Sequence, residues 1–173
     1  PIVEFLTGAL FFAYYWVLVG FASQPTLGEI VFFAAYMAFV SGLLAAAVID
    51  FKHFIIPDEI SIPGVFIGIA ASAVFPAMHP EMTIRGYPHM GSFVASVTGA
   101  VAGAGVIYAL GVAGKVMLSR EAMGFGDVKL MAGIGAFVGW APMFFVLMTS
   151  ALVGSVVGLA LVVLRMRELQ GRI

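Results

Sequence analysis

Cysteine is absent from this 173-residue sequence, which removes disulfides, thiolate zinc sites and cysteine nucleophiles together. Charge is nearly as scarce: Asp, Glu, Lys and Arg make up 10% of the residues, against about 25% in a soluble domain. Eight basic and nine acidic side chains leave a net charge of −1, so no basic excess exists to hold nucleic acid. Apolar residues reach 62% of the chain, and the mean hydropathy is +1.12. Such a chain cannot cover itself with polar surface in water, which excludes a soluble single domain. No cleavable leader is visible, because the first apolar stretch follows Glu4 and lacks a basic flank. A first residue of Pro1 and not Met is what a fragment or a processed chain is expected to show.

A bilayer is then the working solvent, and a span needs roughly 20 mainly apolar residues to cross ~30 Å of hydrocarbon. Six runs stand out, at 4–21, 29–50, 59–77, 91–118, 128–140 and 142–165. The breaks between them hold the polar and helix-breaking residues: Ser23-Gln24-Pro25, Asp50 to Asp58, His79 to His89, Arg120 to Asp127, and Ala141-Pro142. Neither an internal repeat nor a low-complexity segment is present. The expected fold is a single all-α domain over residues 1–173, a polytopic integral membrane protein of about six transmembrane helices. Lipid gives helices no hydrophobic reason to associate, so contacts should rest on small residues. Gly99 with Gly103, Gly135 with Gly139, and Gly154 with Gly158 each have the four-residue spacing for close packing.

Orientation follows from basic residues. With six alternating spans, Lys52, Lys115, Arg120, Lys129, Arg165, Arg167 and Arg172 share one side, and Arg85 is alone on the other. Both termini and the 50–58 and 118–127 loops are therefore expected in the cytoplasm. Trp16, Tyr87 and Trp140 then form an aromatic belt toward the far side.

Ionisable groups near a membrane are costly, so each invites a role and a partner. Glu4 and Glu29 sit at span ends and read as interfacial, while His79, Glu81, Arg85 and His89 read as solvated loop. Asp50, Asp58 and Asp127 are more informative because all three fall on one side. Asp58 follows Pro57 and precedes a span, the position of a helix N-cap. Asp127 has the same option at the start of the fifth span. Asp50 has no such excuse: it closes the second span, where a helix offers only carbonyls and a negative dipole end. The fifth span is also short, 13 residues or roughly 20 Å, which draws Asp127 inside the leaflet and demands a watery cavity or a partner. Gly124 and Gly126 flank it as Gly-Phe-Gly-Asp, leaving backbone bare for another segment to approach. Two carboxylates on two helix ends suit general acid–base hydrolysis of a peptide bond, one ionised and one protonated. They equally suit the cation site of an ion- or proton-coupled transporter, although such sites lie at the midplane between inverted repeats.

The stretch Gly124-Phe125-Gly126-Asp127-Val128-Lys129-Leu130, preceded by Glu121-Ala122-Met123, closely resembles the GxGD signature of type IV prepilin peptidases. Ile49-Asp50-Phe51-Lys52-His53-Phe54-Ile55-Ile56-Pro57-Asp58, with Pro63 beyond, resembles the family's other marked loop, and the likeness spans essentially the whole chain. It implies a GxGD-type membrane aspartyl endopeptidase of the bacterial inner membrane, its active site facing the cytoplasm. Such enzymes remove the short basic leader from type IV prepilins and type II secretion pseudopilins, cutting after a glycine. Carried over residue by residue, Asp50 and Asp127 are the catalytic pair, and Asp58 belongs to the motif without being catalytic. The opening Pro1-Ile2-Val3-Glu4-Phe5-Leu6-Thr7-Gly8 resembles the segment just after a CxxC-containing loop of bifunctional members. That loop is linked to N-methylation of the new pilin terminus, so this chain is expected to carry the peptidase part alone.

Lys129 lies two residues beyond Asp127, about 200° around a helix, which disfavours direct pairing. Its readings are a snorkelling lysine, tuning of the pair, or contact with an acid on the substrate. His53 lacks a second histidine or cysteine nearby and is not expected to bind metal. The chemistry needs no cofactor. Helix dipoles favour the ionised form of Asp127 and the protonated form of Asp50, which would make Asp127 the base.

Overall fold

A computed structural model describes residues 2–18, 27–79, 82, 84, 86–118 and 124–170, and every regular element among them is helical. Each apolar run becomes one helix: α1 (Ile2–Leu18), α2 (Leu27–His53), α3 (Asp58–Val74), α4 (Pro88–Leu118), α5 (Phe125–Val138) and α6 (Trp140–Gln170), with a 3₁₀ turn at Pro76–Met78. Punctuation residues set the boundaries. Pro57 and Gly124 stand just before α3 and α5, Pro88 opens α4, and Gly139 divides α5 from α6 at φ 81°. Three stretches are long and apolar enough to cross a membrane: Ile30–His53, Pro88–Met117 and Trp140–Leu164. Helices α1, α3 and α5 are shorter, at 17, 17 and 14 residues.

Glycine contacts fix how the central helices run. Helices α4 and α5 are antiparallel, with Gly99 on Gly135 and, one turn along, Gly103 on Met131. A Cβ on either Gly99 or Gly135 would collide with the other's carbonyl oxygen. Helices α3 and α5 are parallel: Gly68 meets Ala136 and Phe137, while Gly133 lies over the Ser61 to Val65 backbone. Helix α2 is antiparallel to both, since Phe39 faces Gly64 and Ile60 faces Gly42. The end of α2 and the starts of α3 and α5 therefore meet at one end of the bundle.

At the opposite end α5 is locked. Phe137 is fully buried, stacked on Phe39 with centroids 3.8 Å apart and met edge-on by Tyr36. The closing carbonyls of a helix lack internal partners. Here the Tyr36 hydroxyl donates to the Phe137 carbonyl (2.9 Å), Ser96 to Ala136 (2.7 Å), and the Gly139 N–H to Gly135 (2.9 Å).

Two expectations are corrected. Gly154 and Gly158 have nothing within 4 Å, and every side chain from Met148 to Leu164 is exposed, so this stripe packs on no helix among the described residues. His79 is not solvated loop but buried, its Nδ1 3.1 Å from the Ser92 hydroxyl. The connection folds back onto the first turn of α4, where Gly91 lets the Met82 carbonyl approach closely. His89 is exposed, as expected, and its ring nitrogen bonds the Ala73 carbonyl. Glu81, Arg85, Arg120, Arg172 and residues 121–123 lie outside the described residues, as do the side chains of Glu29, Arg165 and Arg167.

Candidate active site

Helix α2 continues one turn past Asp50 and closes at Phe54, which adopts φ 55°. The Phe54 N–H donates to the Asp50 carbonyl (2.7 Å), a left-handed helix stop made without glycine. A non-glycine residue in that region costs of order 1 kcal/mol or more, and such strain clusters at functional sites. Asp50 thus stands one turn inside the helix and not at its last residue. Its carboxylate has no free N–H groups from its own helix to accept, in keeping with its electrostatically awkward position.

The chain then turns through extended Pro57 into α3. Pro57 is the N-cap, and its carbonyl accepts from the Ile60 and Ser61 N–H groups and from the Ser61 hydroxyl. Asp58 is the first helical residue and makes no side-chain cap, which corrects the capping expectation. A different partner takes its carboxylate: Lys129 Nζ lies 2.7 Å from both oxygens. That ammonium also sits 5.4 Å over the Phe125 ring, one turn back on its own helix. Lys129 is therefore bound across α3 and α5 and does not snorkel freely.

Helix α5 opens without a side-chain cap on Gly124. Asp127, three residues on, reaches back so that its carboxylate accepts from the Gly124 backbone, half of a capping box. The two glycines of the motif differ in use. Gly126 lies against Ile56, where an added Cβ would come within 3.0 Å of the Ile56 Cβ. Gly124 has only Asp127's own carboxylate close by, at an ordinary 3.7 Å.

These segments enclose a cleft of about 370 Å³, lined by Asp50, Phe54, Ile55, Ile56, Asp58, Gly124, Gly126 and Asp127. Asp50 and Asp127 thus share one cleft, with Asp58 on its wall and Lys129 turned to Asp58. Among the described residues no three of His, Cys, Asp and Glu converge to hold a metal ion. The roles of Phe54 and Ile56 were not visible beforehand; only the bare Gly126 signalled that some segment must press against it.

Residues 37–159 match the type IV leader peptidase family. The prepilin leader peptidase/N-methyltransferase of Aeromonas salmonicida is 33% identical over 165 residues, covering 95% of this chain and 49% of its own length. Its counterpart in Pseudomonas aeruginosa is 30% identical over 171 residues, 97% of this chain and 50% of that protein. In Escherichia coli the same-named protein is 32% identical over 127 residues, 73% of this chain and 48% of its own. The chain spans about half the length of these curated relatives. No solved structure matches the chain significantly.

Proposed function

Because the chain belongs to the type IV leader peptidase family, we propose that it is a membrane-embedded aspartyl endopeptidase that removes the basic leader from prepilins or pseudopilins. The observation that carries this reading is the cleft itself, in which Asp50 from α2 and Asp127 from α5 face one space large enough for a peptide segment. The six helices are its spans, both termini lie in the cytoplasm of a bacterium, and the cleft opens on that side of the inner membrane. The seven-to-one bias of basic residues supports this orientation.

Hydrolysis needs one ionised and one protonated carboxylate. One carboxyl of the Asp50–Asp127 pair holds the shared proton and donates it toward the scissile carbonyl oxygen. The other takes a proton from the attacking water, whose oxygen bonds the carbonyl carbon. Collapse of the tetrahedral intermediate breaks the C–N bond, and the proton passes to the departing amine. Gly126 lets the 54–57 segment sit this close to Asp127, and Asp58, held by Lys129, stands on the wall. No cofactor takes part in these steps.

The substrate's apolar helix enters the bilayer beside the catalytic helices, leaving its leader in the cytoplasm. Purified chain in detergent is expected to cut a precursor containing a basic leader, a glycine at the junction and the apolar segment, read by product mass. Absence of product, or equal cutting of a soluble leader peptide without the apolar segment, would overturn this reading.

A further inference from the structure

Asp58, on the cleft wall, pairs at 2.7 Å with Lys129, which does not itself line the cleft. They join the first residue of α3 to the second turn of α5, and these helices run parallel from the same end. Ile56 on Gly126 ties the same two segments at a second point, so Asp127 lies between two cross-links. Both Asp58 oxygens are engaged and the ammonium is further held over Phe125. Asp58 lines the cleft together with Asp50 and Asp127, so the ammonium it holds stands at the edge of a space that contains two other carboxylates.

We propose that Asp58 is a positioning residue that clamps Lys129 and thereby keeps its ammonium off the Asp50–Asp127 pair. The argument is one of charge. A lysine ammonium free in the cleft would favour two ionised carboxylates, and a pair with no proton cannot polarise the scissile carbonyl. The clamped pair is neutral as a unit and leaves Asp50 and Asp127 to share one proton. This rests on the peptidase reading of the same cleft. Among the described residues, the other titratable or charged groups at this end are Lys52 and His53 on α2, Glu59 on α3, and Tyr108 and Lys115 on α4. None of these five lines the cleft.

The test is the pH dependence of precursor cleavage by the full chain in detergent, for wild type, Asp58→Asn, Lys129→Gln and the double variant. Cleavage by the wild type decides the peptidase reading; the movement of the limbs in the variants decides the clamp. Asp58→Asn leaves an unmatched cation, so both limbs should move to lower pH, by of order one unit for a charge at contact range. Lys129→Gln leaves an unmatched anion and should move both limbs to higher pH. The double variant restores neutrality and should return the limbs to the wild-type positions, whatever rate it has lost. A purely structural brace predicts reduced rates with unmoved limbs in all three, which would overturn the proposal. Limbs that shift in one direction in both single variants would overturn it as well. If either single variant is too poorly folded to assay, the limbs of the double variant still decide: displacement from wild type would contradict the clamp.

Discussion

At its C-terminal end α5 is closed on every side, whereas its N-terminal end is left open. Phe137 is buried under Phe39 and Tyr36, and the last carbonyls are taken by Tyr36, Ser96 and Gly139. About 20 Å of helix away, at about 1.5 Å per residue, the opening N–H groups have no side-chain cap and Asp50, Asp58 and Asp127 line one cleft. The difference teaches where the fold keeps its stability. An uncomfortable pair of acids can persist at one end because packing and hydrogen bonds fix the helix at the other. In membranes such fixing rests on close backbone approach and interhelical hydrogen bonds, and α5 has both.

The largest expected effect lies at the open end. Asp50→Asn and Asp127→Asn preserve volume, and each should reduce precursor cleavage by about 10²–10⁴-fold, the usual contribution of a positioned acid or base. Folding, followed by thermal unfolding in detergent, should be retained in both. A comparable loss of folding would place these residues with the structural end of α5.

The closed end should respond in the opposite sense. Gly135→Ala forces a Cβ into the Gly99 carbonyl and should destabilise the bundle by about 1–3 kcal/mol, as overpacking does. Gly154→Ala, with nothing within 4 Å, should be neutral or gain up to about 1 kcal/mol of helix propensity. Detergent unfolding of the two variants side by side separates packing glycines from idle ones. Equal behaviour would break the comparison. Tyr36→Phe keeps the ring contact with Phe137 and removes only the hydroxyl, so a loss of about 0.6 kcal/mol is expected.

Much of this was legible in the sequence. Six apolar runs broken by Pro, Gly and charge became six helices, because length and hydropathy leave few other structures when backbone groups must be satisfied internally. Asp50 stood out by its wrong end of the helix, and Asp127 by its glycines. What was not legible depends on contacts between segments distant in sequence. Pro-Asp before a helix reads locally as a cap, yet Lys129, 71 residues on, takes the Asp58 carboxylate. Phe54 carries no sign that it will adopt a positive φ. Gly154 and Gly158 repeat the spacing of Gly99 and Gly103, but only the latter pair meets a helix.

The most direct test of the central claim, that Asp50 and Asp127 work as a unit, compares the two single Asn variants with the double variant. Residues that act together in one catalytic step are non-additive, as catalytic triads show. The account predicts that kcat/KM for precursor cleavage by the double variant falls no further than for the more damaged single variant. Losses that multiply, or wild-type cleavage by either single variant, would contradict it.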